Sequence, residues 1–328
     1  MRVLSLFDGI ACCRIALERA GIKVDTYYAS EIDKSAITIA TTNYPDIIEL
    51  GDIRTLDPSN LGDIDLVTFG SPCTNFSSSG KRNGMTTKTK VVLDSFETYM
   101  KCKEEGYEFE GQSYLFWEAI RILRVVKPKY FLMENVKMAD KWLNVVSAEL
   151  GKPIEINSSL VSAQNRVRLY WTNIPFDTQI EDKGITLKDI LEDVNYLSPA
   201  AIRGRQLNKA TIIGRRINEH GHREDYNVKI PYIQCLEVRD TNREKSNCLT
   251  TVAKDNVLTP LDIGRHIDVY GKKLPYRYYT RLEYERLQTL PEGYTNCVSE
   301  SAAKKAIGNG WTVDVIAHIF SGLNIDNS

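Results

Sequence analysis

The chain has 328 residues, which is long enough for one large core and a smaller lobe, because single cores stop growing near roughly 250 to 300 residues. Its 42 Lys and Arg residues are balanced by 43 Asp and Glu residues, for a formal net charge of −1. This balance excludes binding to nucleic acid through a global basic field, so any such contact must come from a local basic face.

The cysteines and the apolar segments limit the class of protein further. Seven cysteines, an odd number without Cys-x-x-Cys spacing or paired histidines, predict neither a disulfide framework nor a metal site. No apolar run approaches the roughly 18 residues of a membrane span, and the chain opens on a strand-like segment instead of a leader. We therefore expect a soluble, cytoplasmic protein without a metal or a membrane partner.

The chain alternates strand-like and helical segments up to about residue 176, which predicts a parallel sheet flanked by helices. The fold class is therefore α/β, a doubly wound and mostly parallel sheet with a second, smaller domain. The strand-like segments are Val3 to Phe7, Thr26 to Ser30, Leu66 to Phe69, Tyr130 to Met133 and Leu169 to Thr172, and the helical ones are Arg14 to Ala20, a helix from about Lys34, and Tyr114 to Val126.

The alternation fades between residues 177 and 276, where short segments rich in Arg, Asn and Thr predict a separate small domain. The sequence of residues 277–328 again has a pattern that predicts helices. We therefore expect a discontinuous large domain of residues 1–176 and 277–328. Basic residues concentrate in two places, from Lys81 to Lys90 without an acid and from Arg203 to Arg216, and either is a candidate nucleic-acid surface or an ordinary solvated face.

Reactive side chains stand where predicted strands end. Asp8, Glu31, Cys73 and Glu134 all follow or close a strand, and ligands bind outside the carboxyl ends of parallel strands. Cys73 directly follows Pro72 in an exposed turn. A free cysteine taken alone is more often a small buried hydrophobic residue of the core than a functional group.

Downstream motifs change that interpretation, because five of them stand in the order found in the cytosine-5 DNA methyltransferases, a family that the chain resembles. They are Pro72-Cys73-Thr74-Asn75-Phe76-Ser77, Glu134-Asn135-Val136, Gln164-Asn165-Arg166-Val167-Arg168, the segment from Arg277 to Gln288, and Gly308-Asn309. The resemblance covers nearly the whole chain. It points to a prokaryotic or phage enzyme whose cofactor motifs are similar to those of animal de novo DNA methyltransferases.

The resemblance implies S-adenosylmethionine as the cofactor. The turn after the first strand lacks the Gly-x-Gly-x-x-Gly of a dinucleotide cradle, which argues against NAD. Glu31 would accept hydrogen bonds from the ribose and Asp52 from the adenine amino group, although each acid alone could be a helix cap. The other implied contacts are Phe7, Asp8, Gly9 and Ile10 beside the methionine, Ile32 and Ile53, and Asn309, Gly310 and Trp311 from the C-terminal block.

The resemblance also implies the catalytic residues. Cys73 would attack carbon 6 of a cytosine flipped out of duplex DNA, activating carbon 5 toward the methyl donor. Glu134, kept protonated by burial, would hold the ring, and Arg166 and Arg168 would hold the base oxygen, a phosphate or the catalytic loop. A structural acid paired with an arginine is the alternative for Glu134, and a solvated edge strand is the alternative for the two arginines.

The segment from Ser77 to Gly111 would clamp the substrate. It is longer than in the family, with an insertion from Val91 to Phe109 that contains a helical piece. Ser71 and Thr74 replace a common proline and glutamine, which removes no reacting group.

We expect a monomeric enzyme acting on double-stranded DNA. A transfer-RNA methyltransferase, a catalytically silent DNA-binding homologue and a nucleotide-binding oxidoreductase are the alternatives. The retained Cys73, Glu134 and arginine pair argue against a silent homologue, and the missing phosphate cradle argues against an oxidoreductase.

Overall fold

The structure, a computed structural model, describes residues 1–72, 85–192, 207–220, 222, 224–238, 244–260, 267–269 and 276–323. The chain forms two compact units. The first comprises Met1–Ser158, Val167–Glu181 and Trp311–Ser328, and the second comprises Ser159–Arg166 and Asp182–Gly310.

This division differs from the predicted one. Residues 277–310, expected in the large domain, belong to the second unit, as do residues 159–166, whereas residues 177–181 belong to the first. The reason is pairing between segments distant in sequence. The strand at Arg277–Tyr278 pairs with the strand Val257–Pro260 of the second unit.

The strands of the first unit's sheet are β1 (Arg2–Leu6), β2 (Thr26–Ser30), β3 (Ile48–Glu49), β4 (Leu66–Phe69), β7 (Tyr130–Asn135), β8 (Ile154–Asn157) and β9 (Val167–Thr172), and a separate small hairpin pairs β5 (Thr86–Thr87) with β6 (Phe109–Glu110). Among the described residues, the sheet has the order β3-β2-β1-β4-β7-β9-β8. Strands β3, β2, β1, β4 and β7 run parallel, and β9 is antiparallel to both of its neighbours, β7 and β8. The predicted fold class is confirmed.

Helices cover both faces of this sheet. They are α1 (Cys12–Arg19), α2 (Lys34–Asn43), α3 (Phe96–Glu104), α4 (Leu115–Val126), α5 (Asp140–Leu150) and α9 (Val313–Phe320). Helix α1 packs against α9, and an ion pair of 2.6 Å between Arg19 and Asp314 joins them. All of β4 is buried in consequence, so polar side chains of the central strands reach solvent only where the strands end.

The insertion predicted from Val91 to Phe109 is a packed part of the first unit. Its helix α3 buries Tyr99 and Cys102, and the backbone oxygen of Leu93 accepts a hydrogen bond from the Trp117 indole at 3.2 Å. Rings of Tyr99, Phe109 and Tyr114 pack together at centroid distances of 4.5 to 6.4 Å. The described part of the predicted clamp, residues 85–111, is therefore anchored to the first unit by buried side chains of α3 and by ring packing.

Glu118 on α4 anchors this insertion. Its buried carboxylate accepts hydrogen bonds from Tyr99, from Lys103 and, at 2.7 Å, from Arg121. Burial alone would raise the pKa of Glu118, but these three donors outweigh it and lower the pKa.

The described elements of the second unit are β10 (Leu207–Arg215), β11 (Ile233–Val238), β12 (Val257–Pro260), β13 (Ile267–Val269), β14 (Arg277–Tyr278), α6 (Leu187–Ile190), α7 (Arg281–Leu287) and α8 (Glu300–Asn309). The strands form an antiparallel sheet in the order β13-β11-β10-β12-β14. Lys245 ties the segments of this unit together, because its buried ammonium donates to the carbonyls of Ser159 and Ile185 at 2.7 and 2.6 Å.

Within the ranges that the structure describes, every helix is too short or too polar to cross a membrane.

Replacing Glu118 by alanine should cost about 3 to 5 kcal/mol of unfolding free energy, because Tyr99 and Arg121 lose their acceptor inside the protein. The measurement is urea unfolding followed by tryptophan fluorescence. The control is Glu97→Ala, whose exposed side chain lies 3.4 Å from Arg124 and should contribute less than about 1 kcal/mol. Equal losses for the two variants would contradict the anchoring role.

Candidate active site

The turn from β1 into α1 has an unusual backbone. Phe7, Gly9 and Ala11 all have positive φ, at 55°, 62° and 58°. For the two residues with a Cβ this conformation costs on the order of 1 kcal/mol or more each, and such strain clusters at ligand sites. The turn follows β1, beside the point where the strand order reverses between β1 and β4, which is where ligands bind in open α/β sheets.

Glu31 follows β2 and ties two turns together. Its Oε2 accepts the Gly9 N–H at 2.9 Å, and its Oε1 accepts the N–H groups of Ile32 and Asp33 at 2.7 and 2.9 Å. Three of the roughly four acceptor positions of the carboxylate are filled by backbone, and one remains at Oε2. Ile32, beside it, leaves 61 % of its surface exposed.

Asp8 points into the protein. Its Oδ1 accepts the Tyr27 hydroxyl at 2.6 Å, while its buried Oδ2 has no hydrogen-bond partner. Burial is the main cause that raises the pKa of Asp8 to about 6; hydrogen bonds from Ser5 and Tyr27 oppose this rise, and the charge of Glu31 adds to it. Ile10 is buried in the same turn.

Asp52 is already engaged. Its carboxylate accepts the Arg54 Nε at 2.9 and 3.0 Å and the Arg54 N–H at 2.9 Å, and these hydrogen bonds lower the pKa of Asp52. An adenine amino group would therefore bind to a carboxylate that shares its charge with Arg54. Ile53 is buried in the core beneath.

The predicted C-terminal contacts divide between the units. Trp311 lies in the first unit against Gly70, where a Cβ would stand 3.0 Å from the indole Nε1, so any side chain at this position would crowd the indole. Asn309 ends α8 and Gly310 caps it, both in the second unit.

Cys73 lies outside the described residues, but the chain leading to it is held firmly. The Asn135 amide donates to the Ser71 carbonyl at 3.2 Å and meets the Ser71 hydroxyl at 3.1 Å. The Ser113 hydroxyl donates to the Pro72 carbonyl at 3.2 Å. The serine that replaces a common proline here thus supplies a second contact to Asn135. Sequence reasoning overlooked this role of Asn135, although the residue stands in the Glu-Asn-Val motif.

Glu134, the penultimate residue of β7, stands beside Arg168 of β9. The Arg168 Nε lies 2.9 Å from Glu134 Oε1, but its N–H does not point at that oxygen, so the contact is a charge pair without an aligned hydrogen bond. Both side chains are largely buried. A carboxylate and a guanidinium therefore share the strand edge next to the one that leads to Cys73.

Arg166 is placed differently. In the second unit, its guanidinium donates to the Gly310 carbonyl at 2.9 Å and to the Leu249 carbonyl at 3.4 Å, and only 4 % of the residue is exposed. The sequence treats Arg166 and Arg168 as one pair, but the structure gives Arg166 a buried role in holding backbone.

Two glutamines that sequence reasoning left without a role complete this network. The Gln164 amide donates to the Leu287 carbonyl at 3.0 Å and accepts the Leu249 N–H at 2.8 Å, and the Gln288 amide donates to the Gly310 carbonyl at 3.1 Å. The sequence feature that could have revealed their role is their position in the Gln-x-Arg-x-Arg and Arg-Leu-Gln motifs.

The candidate basic surfaces are partly neutralised. Lys88 and Lys90 pair with Glu108 and, on β6, Glu110, so the acids missing from the local sequence come from across a hairpin. Residues 81–84, 203 and 205 lie outside the described ranges.

The described part of the second basic stretch is also engaged. Arg215 pairs with Glu237, and the Arg216 guanidinium donates to two carbonyls and stacks 3.9 Å above the Tyr232 ring. Lys209 is buried, which lowers its pKa. These side chains support the fold of the second unit. Among all the residues that are described, no three His, Cys, Asp or Glu side chains come close enough to hold one metal ion.

Substituting Arg166 by methionine should lower the stability of the ligand-free protein by about 1 to 3 kcal/mol, because buried carbonyls lose a charged donor. Lys229→Met, at an exposed position of the same unit, should change it by less than about 0.5 kcal/mol. Thermal unfolding of both variants is the measurement. Unchanged stability of the Arg166 variant combined with lost nucleic-acid binding would return Arg166 to a substrate-contacting role.

Known proteins resemble the chain in sequence and in fold. The orphan methyltransferase M.SPBetaI of Bacillus phage SPbeta is 27% identical over 323 residues, covering 85% of this chain and 69% of the relative. The orphan methyltransferase M.Rho11sI of Bacillus phage rho11s is 31% identical over 242 residues, covering 67% of this chain and 43% of the relative. A crystal structure of S. pombe Dnmt2 methyltransferase matches with a TM-score of 0.62 at 20% identity, covering 100% of this chain and 99% of that one.

The structure of the Entamoeba histolytica methyltransferase EhMeth matches with a TM-score of 0.65 at 15% identity, over 100% of this chain and 99% of that one. At such identities the likeness concerns the fold alone. The sequence match is more specific, because the family model of the C-5 cytosine-specific DNA methylases fits residues 1–144 and 159–324. The chain therefore belongs to the C-5 cytosine-specific DNA methylase family.

Proposed function

We propose that the protein is a DNA cytosine-5 methyltransferase that uses S-adenosylmethionine and a covalent adduct of Cys73. The observation that carries the proposal is the arrangement at one strand edge of the first unit. Asn135 and Ser113 hold the segment Ser71-Pro72 that leads to Cys73, and the next strand carries Glu134 beside Arg168.

The residues at the ends of β1 to β4 fit the cofactor. The buried Asp8 Oδ2 lacks a partner, Glu31 keeps an acceptor position, and the exposed Ile32 offers an apolar surface for a flat ring. Gly70 leaves room for Trp311. Glu31 would bind the ribose, and Phe7, Gly9 and Ile32 would line the site. When bound, the cofactor supplies an electrophilic methyl group on a sulfonium.

The chemistry requires that an enzyme nucleophile first add to the cytosine ring, because carbon 5 by itself is too weakly nucleophilic to take a methyl group from a sulfonium. The Cys73 thiolate adds to carbon 6, and a carbon–sulfur bond forms while the electron pair of the ring double bond becomes available at carbon 5. Carbon 5 would take the methyl group, and the electron pair of the broken bond would stay on the donor's sulfur, which becomes a neutral thioether. Carbon 5 then loses its proton to a base, the double bond between carbons 5 and 6 re-forms, and the electron pair of the bond from carbon 6 to Cys73 leaves with the thiolate.

Glu134 is proposed to donate a hydrogen bond from a protonated carboxyl group to ring nitrogen 3 and to accept one from the exocyclic amine, with Arg168 beside the carboxyl and facing the base oxygen. The carboxyl would take up this proton as the base binds. In the free protein the two side chains satisfy each other's charge, so neither is buried unpaired before the substrate arrives. The target nucleotide must rotate out of the duplex to reach these groups, at a cost of a few kcal/mol.

DNA is the proposed substrate because the matching family model is that of the DNA methylases and because phage methyltransferases are among the relatives. An RNA substrate is the alternative within the same chemistry. Labelled methyl transfer to duplex DNA and to transfer RNA separates them. We expect label in the DNA, and none in a duplex whose cytosines all carry a 5-methyl group; label in RNA alone would overturn the DNA assignment. Bisulfite sequencing of DNA from expressing cells then gives the target sequence.

The Cys73→Ser variant tests the covalent step. In the presence of S-adenosylmethionine, wild-type protein should form a denaturant-resistant complex with DNA that contains 5-fluorocytosine, because carbon 5 of that base carries fluorine in place of the proton whose loss would release the thiolate. The variant should form none while its affinity for S-adenosylmethionine stays unchanged. Cys297→Ser, which removes an exposed cysteine of the second unit, is the matched control and should trap DNA normally. An undiminished adduct in Cys73→Ser would exclude this nucleophile.

A further inference from the structure

Three neighbouring parallel strands each bring a carboxylate to the same part of the first unit. Asp8 follows β1, Glu31 follows β2, and Glu49 ends β3. Glu49 stands in register with Ala29 of β2, which in turn pairs with Ser5 of β1. The charges of Asp8 and Glu31 act on Glu49, so the three acids form one electrostatic cluster.

Two of these acids have buried oxygens without hydrogen-bond partners. Asp8 is 8 % exposed and its Oδ2 has no donor, and both carboxylate oxygens of Glu49 are shielded from solvent without a donor. Glu31, by contrast, accepts three backbone N–H groups. Native proteins rarely leave buried carboxylates unpaired, because each loses its hydration without compensation. The two acids are therefore stabilised in the folded protein either by binding a proton or by contact with a cationic ligand.

The surroundings contain no compensating cation among the described groups that act on these acids. Asp8 faces Ser5, Tyr27, Glu31 and the buried Cys13 thiol. Burial, and then the charges of Asp8 and Glu31, raise the pKa of Glu49 to about 7. The acids are not placed to chelate a metal ion. An organic cation is the ligand that would complete the cluster.

We propose that Glu49, which the sequence did not single out, acts with Asp8 as a proton-linked part of the cofactor site. Binding of S-adenosylmethionine would release a proton from this pair. The inference rests on the proposed function, in which the cofactor lies at the ends of β1 to β3.

The pair would also distinguish cofactor from product. S-adenosylmethionine carries the positive charge of its sulfonium, and S-adenosylhomocysteine, a neutral thioether at that atom, lacks it. The cationic cofactor favours ionised carboxylates, so it should displace more protons than the product does. Its advantage over the product should then grow as the pH rises through the range in which the free pair ionises.

Titration calorimetry in two buffers of different ionisation enthalpy measures the protons released. Near pH 6.5, about one proton should leave per S-adenosylmethionine bound, and clearly fewer per S-adenosylhomocysteine. Between about pH 5.5 and 7 the affinity for the cofactor should rise, by at most about tenfold per pH unit, and it should level off above that range.

The Glu49→Gln variant should lose most of the proton release and of the pH dependence while still binding the cofactor. Glu155→Gln is the matched control, since Glu155 lies on β8 at the other edge of the same sheet and pairs with Lys137 at 2.7 Å. It should behave as the wild type does.

The outcomes separate this inference from the function on which it rests. If wild-type protein does not bind S-adenosylmethionine, the proposed function fails. If it binds without proton release, or releases equal numbers of protons with cofactor and product, only the role of the pair is overturned. The buffer comparison on wild-type protein decides this even if Glu49→Gln does not fold.

Discussion

The central parallel strands of the first unit are buried on both faces, so they can expose functional groups only where they end. Everything proposed for this unit follows from that constraint. Asp8, Glu31 and Glu49 gather at three adjacent strand ends, and Glu134 stands one strand away from the segment that leads to Cys73. The strained backbone of the turn after β1, with positive φ at Phe7, Gly9 and Ala11, lies at the same strand ends.

The acidic side chains at these strand ends differ in their hydrogen-bond and charge partners. Glu31 accepts three backbone N–H groups and keeps one acceptor position, and Glu134 is paired with Arg168. Asp8 and Glu49 lack such donors at buried oxygens. A site that binds a cation and a flipped base needs both kinds of group, since the first kind holds geometry and the second leaves charge available for a ligand.

The family motifs serve structure as well as chemistry. Gln164, Arg166 and Gln288 come from two motifs far apart in sequence and meet at the carbonyls of Leu249, Leu287 and Gly310 in the second unit. Buried polar networks of this kind specify one arrangement of the backbone, because each member loses its partner if any segment shifts. Motif order alone could not separate Arg166, which holds backbone, from Arg168, which faces Glu134.

The sequence by itself determined the fold class and the family, because strand and helix periodicity is local and the motifs stand in a fixed order. It also predicted that Asp8, Glu31 and Glu134 stand where strands end, and the structure places all three there. Only the tertiary structure decided which charges are compensated: Lys88 and Lys90 find acids across a hairpin, and Glu118 anchors the insertion. The unit boundary, set by the pairing of β12 with β14, and the unpaired state of Glu49 were decided there too. Pairing and burial depend on contacts between segments distant in sequence, which no local pattern encodes.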